Sequence, residues 1–512
     1  MSLSRRRFLH IVGVLGGSTA AYQAAIGLGI TPAVVAAAPP DIAPLNKGVR
    51  KSVLILGAGI ASLVSAYELI RRGYDVTVLE ASHRVGGRVM TVRGGDLIDE
   101  VGHPQTCNFD REPHLYFNAG ASRIAGDHAA ILDYCRQLKV ELEPFVNLNR
   151  DAWVQDDALF GGKRIRNREY ITETRNFIAE MTAKALKPEQ LDAPLTATDH
   201  KAVIEYLRQF GHLNEQLKTS RSKKTVSESF NDPAAMRALL NSKILGGMSY
   251  SDSDEQIAVM LTPVGGMDKI VTGFMKHVGS RVRVETRVDA IRLLDAGVEV
   301  ECVGKRGREV LQADFCINSI PMQLLSGVKH NFPSDYARGL ASVPRGKYFK
   351  LAFQAKERFW ERENIYGGIS WTMQDISQMW YPSNGIHKQK GIILGAYTFA
   401  SSAGDKFARL SPVERVELAK VQGEKLHPGY SNMVEHGVSV CWHRMNHMLG
   451  CAAAWSESLR AQWYELLRKP VGNHYLVGDQ ISDMPSWQEG AVHSAFYAIA
   501  DIDRRVREQA AA

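Results

Sequence analysis

The sequence contains few cysteines, and none are spaced for paired chemistry. Six occur in 512 residues (Cys107, Cys135, Cys302, Cys316, Cys441 and Cys451), with no C-x-x-C pair. That excludes a disulfide scaffold and a cysteine-rich metal site, and no bound metal is expected. Beyond the N-terminal leader there is no uninterrupted apolar run of about 20 residues, so the mature chain is not expected to span a membrane. Internal repeats and low-complexity tracts are missing too. The formal net charge of +7 includes Arg5, Arg6 and Arg7, and the densest remaining patches, Lys163–Arg168 and Lys218–Lys224, are interrupted by Asn, Ser and Thr. They read as solvated loops or helix ends. A nucleic-acid face needs a continuous basic stripe, so that class of partner is excluded. What remains is a globular composition, 45% hydrophobic and 23% charged. The chain is too long for one ordinary core, so two or three subdomains are expected.

The first 38 residues read as an address label. Ser4-Arg5-Arg6-Arg7-Phe8-Leu9 precedes a weakly apolar stretch, Ile11 to Ile30, and small residues follow at Ala36-Ala37-Ala38. A charged start, a modest apolar middle and a small-residue end describe an export signal. The paired arginines resemble a twin-arginine signal, which implies a periplasmic or extracellular destination. An uncleaved anchor helix is the alternative, and the glycines and weak hydrophobicity argue against it.

Ser52 to Leu56 is a β-prone run that leads into Gly57-Ala58-Gly59-Ile60-Ala61-Ser62, a helical stretch, and a second strand, Asp75 to Leu79, ending at Glu80. Strand, glycine turn, helix, strand and terminal acid make a dinucleotide fingerprint. Gly57 permits the tight turn, and Gly59 lets a pyrophosphate approach the helix N-terminus. Ser62 replaces the third glycine and is still small enough for close packing. Glu80 is placed to accept hydrogen bonds from ribose hydroxyls. In the following Arg84-Val85-Gly86-Gly87-Arg88, two glycines turn N–H groups toward an anion and Arg88 supplies a cation. Near the C-terminus, Tyr475-Leu476-Val477-Gly478-Asp479 and then Trp487-Gln488-Glu489-Gly490-Ala491-Val492 read as a strand followed by a helix start, which favours negative charge on a bound ring system. Asp479 as a simple helix cap is the bland alternative.

Together these pieces resemble the flavin-dependent amine oxidase superfamily, from about Lys51 to Ile502. Val264-Gly265-Gly266-Met267-Asp268, the strand Arg283 to Ala290 and Ala313 to Pro321 add to the likeness. The resemblance implies an α/β fold: a doubly wound, Rossmann-like FAD domain (50–90, 253–325 and 470–507), a mixed-sheet substrate domain (91–147 and 326–469) and a helical insert (148–252). In that insert Tyr170, Ile171, Phe177, Ile178 and Met181, then Val203, Ile204, Leu207 and Phe210, recur at helical spacing, with Pro188 and Pro194 between the two stretches. FAD is the implied cofactor. Further implied contacts to it are Ala58, Ala81, Gly87, the Gly120-Ala121-Ser122-Arg123 segment, Val288, Ala491 and Val492.

Within the superfamily, Tyr116 to Arg123 resembles the segment of L-amino-acid oxidases in which an arginine holds the substrate carboxylate, a match of fork to carboxylate. The resemblance places Tyr397 on the same carboxylate and Trp487 beside the flavin face. Ala452 falls where a second aromatic is usual, which opens room for larger side chains. Lys350, ten residues before Trp360, matches a lysine that binds a water near the flavin and assists reaction with oxygen. The implied reaction is hydride transfer from Cα to flavin N5, giving a 2-oxo acid, ammonia and hydrogen peroxide from an amino acid and dioxygen. A tryptophan-type 2-monooxygenase, a monoamine or polyamine oxidase, and a non-catalytic FAD-binding partner stay open as alternatives. Cys451 matches the place where monoamine oxidases attach flavin covalently, whereas L-amino-acid oxidases usually hold FAD non-covalently, the form expected here. A homo-oligomer is compatible with the sequence.

Overall fold

Four apolar residues in a row, Val53 to Leu56, are buried in strand β1 (Ser52–Leu56), as suits a strand covered on both faces. A computed structural model describes residues 51–187, 196–219 and 259–511, with isolated residues in 40–50 and 241–256. The leader, Pro188 and Pro194 lie outside the described residues. After β1 come helix α1 (Ile60–Arg71) and strand β2 (Asp75–Leu79). The sheet runs Val282–Arg283, β2, β1, Phe315–Asn318, His474–Leu476, and every neighbouring pair is parallel. Because β1 has β2 on one side and the much later strand Phe315–Asn318 on the other, the strand order reverses at its C-terminal end. A crevice opens at such a point in an open α/β sheet.

Both faces of this sheet are covered. Leu63, Val64, Phe274 and Ile499 pack on one side, drawn from α1, the helix Asp268–Val278 and the C-terminal helix Gln488–Ala511. On the other side Leu54 and Leu56 meet Val298 and Val300 of an antiparallel four-stranded sheet. The fold is therefore α/β and doubly wound. The single strand expected from Arg283 to Ala290 is two. Val282–Arg283 closes the parallel sheet, Glu285 adopts φ 53°, and Arg287–Leu294 starts the second sheet. The left-handed residue redirects the chain between layers.

A seven-stranded sheet forms the other half, in the order Ile165–Arg166, Trp153–Gln155, Gly368–Thr372, Gln378–Tyr381, Gly391–Thr398, Phe349–Ala355, Val434–Cys441. One pair is parallel and the rest antiparallel, so the sheet is mixed. Two of its strands fall within 148–166, and the helices begin only at Asn167–Ala185, followed by Ala197–Phe210. These two pack through Ala179, Ala183 and Leu207. Tyr170 is buried as its spacing predicts, but Ile178, Met181 and Phe210 are exposed. The helix pair needs only a narrow small-residue seam, so the outer part of the apolar stripe stays at the surface. All six cysteines are free. Among the described residues no helix is long and apolar enough to cross a membrane.

Candidate active site

A cleft of about 400 Å³ lies at the C-terminal end of β1. Gly57, at φ +88°, turns the chain there, and a Cβ on it would lie 2.5 Å from Ser319 Oγ. Gly59 has open space where its Cβ would be, which leaves the N-terminus of α1 accessible to a phosphate. Gly57, Ala58, Gly59, Glu80 and Ala81 all line the cleft. So do Gly87, Arg88, Val288, Gly478, Asp479 and Ala491. The exposed glycine edge, the helix N-terminus and the carboxylate at the strand end fit a dinucleotide. Ser62 and Val492 turn away from it. Ser62 Oγ donates to Ser319 Oγ at 2.8 Å, locking α1 against the neighbouring strand end, and Val492 is part of the core. Among the described residues no cluster of His, Cys, Asp or Glu could hold a metal.

Glu80 accepts the Ala58 N–H at 2.7 Å and the Ser82 N–H at 2.8 Å, one on each oxygen. Each oxygen keeps acceptor capacity for a hydroxyl. Burial pushes this carboxyl up, against the two N–H donors and the Arg84 and His447 charges. Arg88 and Asp479, expected at separate parts of the cofactor, are paired with each other. Arg88 Nη1 donates to Asp479 Oδ2 at 2.8 Å, and the second nitrogen bonds Oδ1. Asp479 also accepts the Ser486 N–H at 2.9 Å. The pair holds Asp479 below the usual carboxylate range despite its burial.

Gly120 lies behind Arg88. A Cβ there would be 1.7 Å from the Arg88 carbonyl oxygen, so the segment Gly120-Ala121-Ser122 backs the cofactor loop. This close approach, not exposure to the cleft, is what requires glycine. Lys350, on the strand Phe349–Ala355, crosses beneath the same segment. Its Nζ donates to Asn118 O at 3.1 Å and Gly120 O at 2.6 Å, and bonds Ser122 Oγ at 2.7 Å. The amine thus makes three contacts within the protein, where the resemblance implied a bound water. Burial, helped by the Arg123 charge, lowers its pKa from 10.5 to about 7.

Arg123 is 8% exposed and sits among aromatic rings. Its guanidinium is 4.7 Å from the Trp380 ring centre, 5.8 Å from Trp487 and 6.0 Å from Phe145. Nη2 donates to Gln256 Oε1 at 3.0 Å, and Asn147 Nδ2 donates to the same oxygen at 3.2 Å. Tyr397 pairs in register with Lys350, its ring 4.5 Å from Nζ and 5.2 Å from Trp380. Trp487 lines the dinucleotide cleft as well, and His128 meets its ring edge-on at 4.7 Å. Trp487, which lines the cleft, thus contacts Arg123, and Trp380 joins Arg123 to Lys350 and Tyr397. Ala452 is buried, its carbonyl accepting the Gly346 N–H at 2.8 Å. At neighbouring Cys451 burial pushes the thiol up, against the Arg88 and Arg345 charges.

Sequence reasoning missed Trp380, Phe145, Gln256 and Asn147. Trp380 lies in a short, wholly buried strand with no motif, held in register between Ile369 and Leu394. Gln256 carries no local signal at all.

A family model described as flavin containing amine oxidoreductase matches residues 60–502. The flavin-dependent L-tryptophan oxidase RebO of Lentzea aerocolonigenes is 27% identical over 89% of this chain and 98% of its own length. A putative L-amino-acid oxidase of Bacillus subtilis (strain 168), YobN, is 25% identical over 89% and 95%. An L-amino-acid oxidase of Pseudechis australis is 24% identical over 88% and 87%. Among solved structures, a putrescine oxidase triple mutant (TM-score 0.62, 18% identity) and the cyclohexylamine oxidase of Brevibacterium oxydans IH-35A (0.62, 17%) share the fold. Each alignment spans 89% of this chain and 99% of theirs.

Two predictions follow from the site's hydrogen bonds and charges. Glu80→Ala is expected to weaken flavin retention about tenfold or more, since hydrogen bonds to a charged group contribute about 1.5–3 kcal/mol. Flavin fluorescence on dilution measures this, and unchanged retention would make Glu80 a turn-forming residue only. For Lys350, the folded and unfolded chains are both protonated below about pH 7, so the burial penalty is complete there. It fades as pH rises toward 10.5, where both are neutral. Wild type is therefore expected to gain thermal stability relative to Lys350→Met between about pH 7 and pH 10. A constant difference in midpoint over that window would refute the depressed amine.

Proposed function

Because the chain belongs to the flavin-containing amine oxidoreductase family and uses FAD as its cofactor, we propose that it oxidises L-amino acids at the α-amine. The products are then a 2-oxo acid, ammonia and hydrogen peroxide. One observation carries the choice of amino acids over simple amines. Arg123 is buried in a box of Trp380, Phe145 and Trp487, and Trp487 is also a wall of the cofactor cleft. A guanidinium held there faces the place where substrate must meet the cofactor, and a carboxylate is the group that matches its fork. An amine without a carboxylate makes no use of that fork. The similarity to proteins named L-tryptophan oxidase and L-amino-acid oxidase supports the same reading.

In this reading Arg123 binds the substrate carboxylate and Tyr397 adds a hydroxyl to it. Gln256, itself held by Asn147, keeps the guanidinium from rotating. The surrounding rings exclude water, which strengthens the ion pair. Fixing one end of a small substrate orients its Cα–H bond, and such alignment can lower a transfer barrier by about 7–11 kcal/mol. The cleft lined by Gly57, Gly59, Glu80 and Arg88 would hold FAD, which would supply a two-electron acceptor that dioxygen can reoxidise. Lys350 supplies a positive charge that titrates near neutrality beside this site.

Arg123→Met keeps much of the side-chain volume and removes the fork. Leaving a buried carboxylate without its partner costs about 3–5 kcal/mol, so kcat/KM for L-phenylalanine or L-leucine should fall about two to four orders of magnitude. The corresponding decarboxylated amines should be affected far less. An equal loss on both would make Arg123 structural, and normal amino-acid turnover would remove the reason for this reading. Product analysis in air separates oxo acid from amide.

We also infer export by the twin-arginine route, from Arg5 and Arg6 ahead of a weakly apolar stretch. Replacing both by lysine is expected to keep the precursor inside the cell, and unchanged activity outside it would refute the route.

A further inference from the structure

The dinucleotide cleft has walls from both halves of the molecule. Besides the glycine turn, it is lined by Leu97, Asp99, Val101, His447 and Leu449, which none of the cofactor motifs includes. The two segments that carry them are joined. Val101 N–H donates to Arg444 O at 2.8 Å and Asn446 N–H to Asp99 O at 2.9 Å, so Glu100 and Met445 oppose each other in an antiparallel bridge. Asn446 Nδ2 adds a bond to Asp99 Oδ2 at 3.2 Å. Beyond the bridge the backbone bends sharply, with His447 and Leu449 at φ 60° and 44°. Non-glycine residues keep such angles only where their surroundings hold them.

What holds this bridge is the Glu100 side chain, which is wholly buried, as is its partner Arg415. One oxygen receives Arg415 Nη1 at 2.7 Å and the other the Cys441 N–H at 2.6 Å. Arg415 Nε is in turn anchored on the carbonyls of Phe407 and Leu410, at 2.8 and 3.1 Å. Arg444 ties Ala408 O to Val101 O by bonds of 2.9 and 3.0 Å. A buried carboxylate must keep its partners, so the backbone at Glu100 has one position, and the bridge inherits it. Asp99, Val101 and His447 line the same cleft as Glu80, Ala81 and Arg84, the residues at the end of β2.

We infer that segments 97–101 and 445–449 form a clasp that retains the adenine dinucleotide, with Glu100 as its positioning residue. The clasp sets how fast FAD leaves, and its action does not depend on which substrate the enzyme takes.

FAD release from the holoenzyme after dilution, followed as rising flavin fluorescence, tests this with no substrate present. Glu100→Gln combined with Arg415→Met removes both buried charges together and leaves no unpaired charge in the core. Val101→Pro deletes the N–H that closes the bridge, at a half-exposed position, and leaves the buried pair intact. Both are expected to release FAD about tenfold faster than wild type, and Val101→Ala, which keeps the N–H and only trims a side chain of the same wall, should release it more slowly than Val101→Pro. Wild-type release from Val101→Pro would overturn the clasp. Fast release from Val101→Pro with wild-type release from the double variant would overturn the role of Glu100, as would a lowered thermal midpoint in the double variant with unchanged FAD release.

Discussion

The bidentate contact between Arg88 and Asp479 joins residues 391 positions apart, and the layout of the site can be followed outward from it. Both side chains are removed from most solvent, and a pair in that condition loses about 3–5 kcal/mol if one partner is deleted. The pair fixes the cofactor loop against the C-terminal strand and helix. Gly120 then rests on the Arg88 carbonyl, Lys350 binds the Gly120 carbonyl, and Arg123 follows three residues later. A continuous run of contacts therefore links the cofactor loop to the residue read here as the carboxylate holder. Such a run of contacts holds segments that are far apart in the sequence in one fixed geometry.

Two cations share the substrate end of this run, and they differ in character. Arg123 is a permanent charge that stacks on rings, as guanidinium groups do. Lys350 is buried beside it, and burial together with that neighbouring charge lowers its pKa to about 7. The site thus combines one fixed positive charge with one that depends on pH. The carbonyls of Asn118 and Gly120 accept from Lys350 in either protonation state, so the segment keeps its place when the proton leaves.

The cofactor half was legible in the sequence because its determinants are local. Gly57, Gly59 and Glu80 lie within one strand–helix–strand unit, and Gly478 and Asp479 sit between a strand and a helix start. Spacing places each set locally, and the family resemblance joins the two sets at one cleft. Arg123 and Lys350 could be placed only through family resemblance. Trp380 and Gln256 could not be placed at all, because sheet register and the packing of distant segments bring them to Arg123. The break at Val284–Thr286 escaped notice for another reason. Both halves have strand-like composition, and a residue with φ 53° at Glu285 leaves little trace in the sequence. The first part of the region read as a helical insert also joins the large sheet, through strands of only two and three residues, too short to show an alternating pattern.

The order in which a ribosome makes this chain has a consequence for cofactor loading. The glycine turn is made well before Gly478, Asp479 and Trp487, which complete the same cleft. The edges of the first dinucleotide unit are matched by Val282–Arg283 and Phe315–Asn318, but its cleft stays incomplete until Gly478 and Asp479 have been translated. Parallel pairing of His474–Leu476 with Phe315–Asn318 then adds the last strand of the sheet. A polypeptide truncated before Asp479 would lack the partner that fixes Arg88.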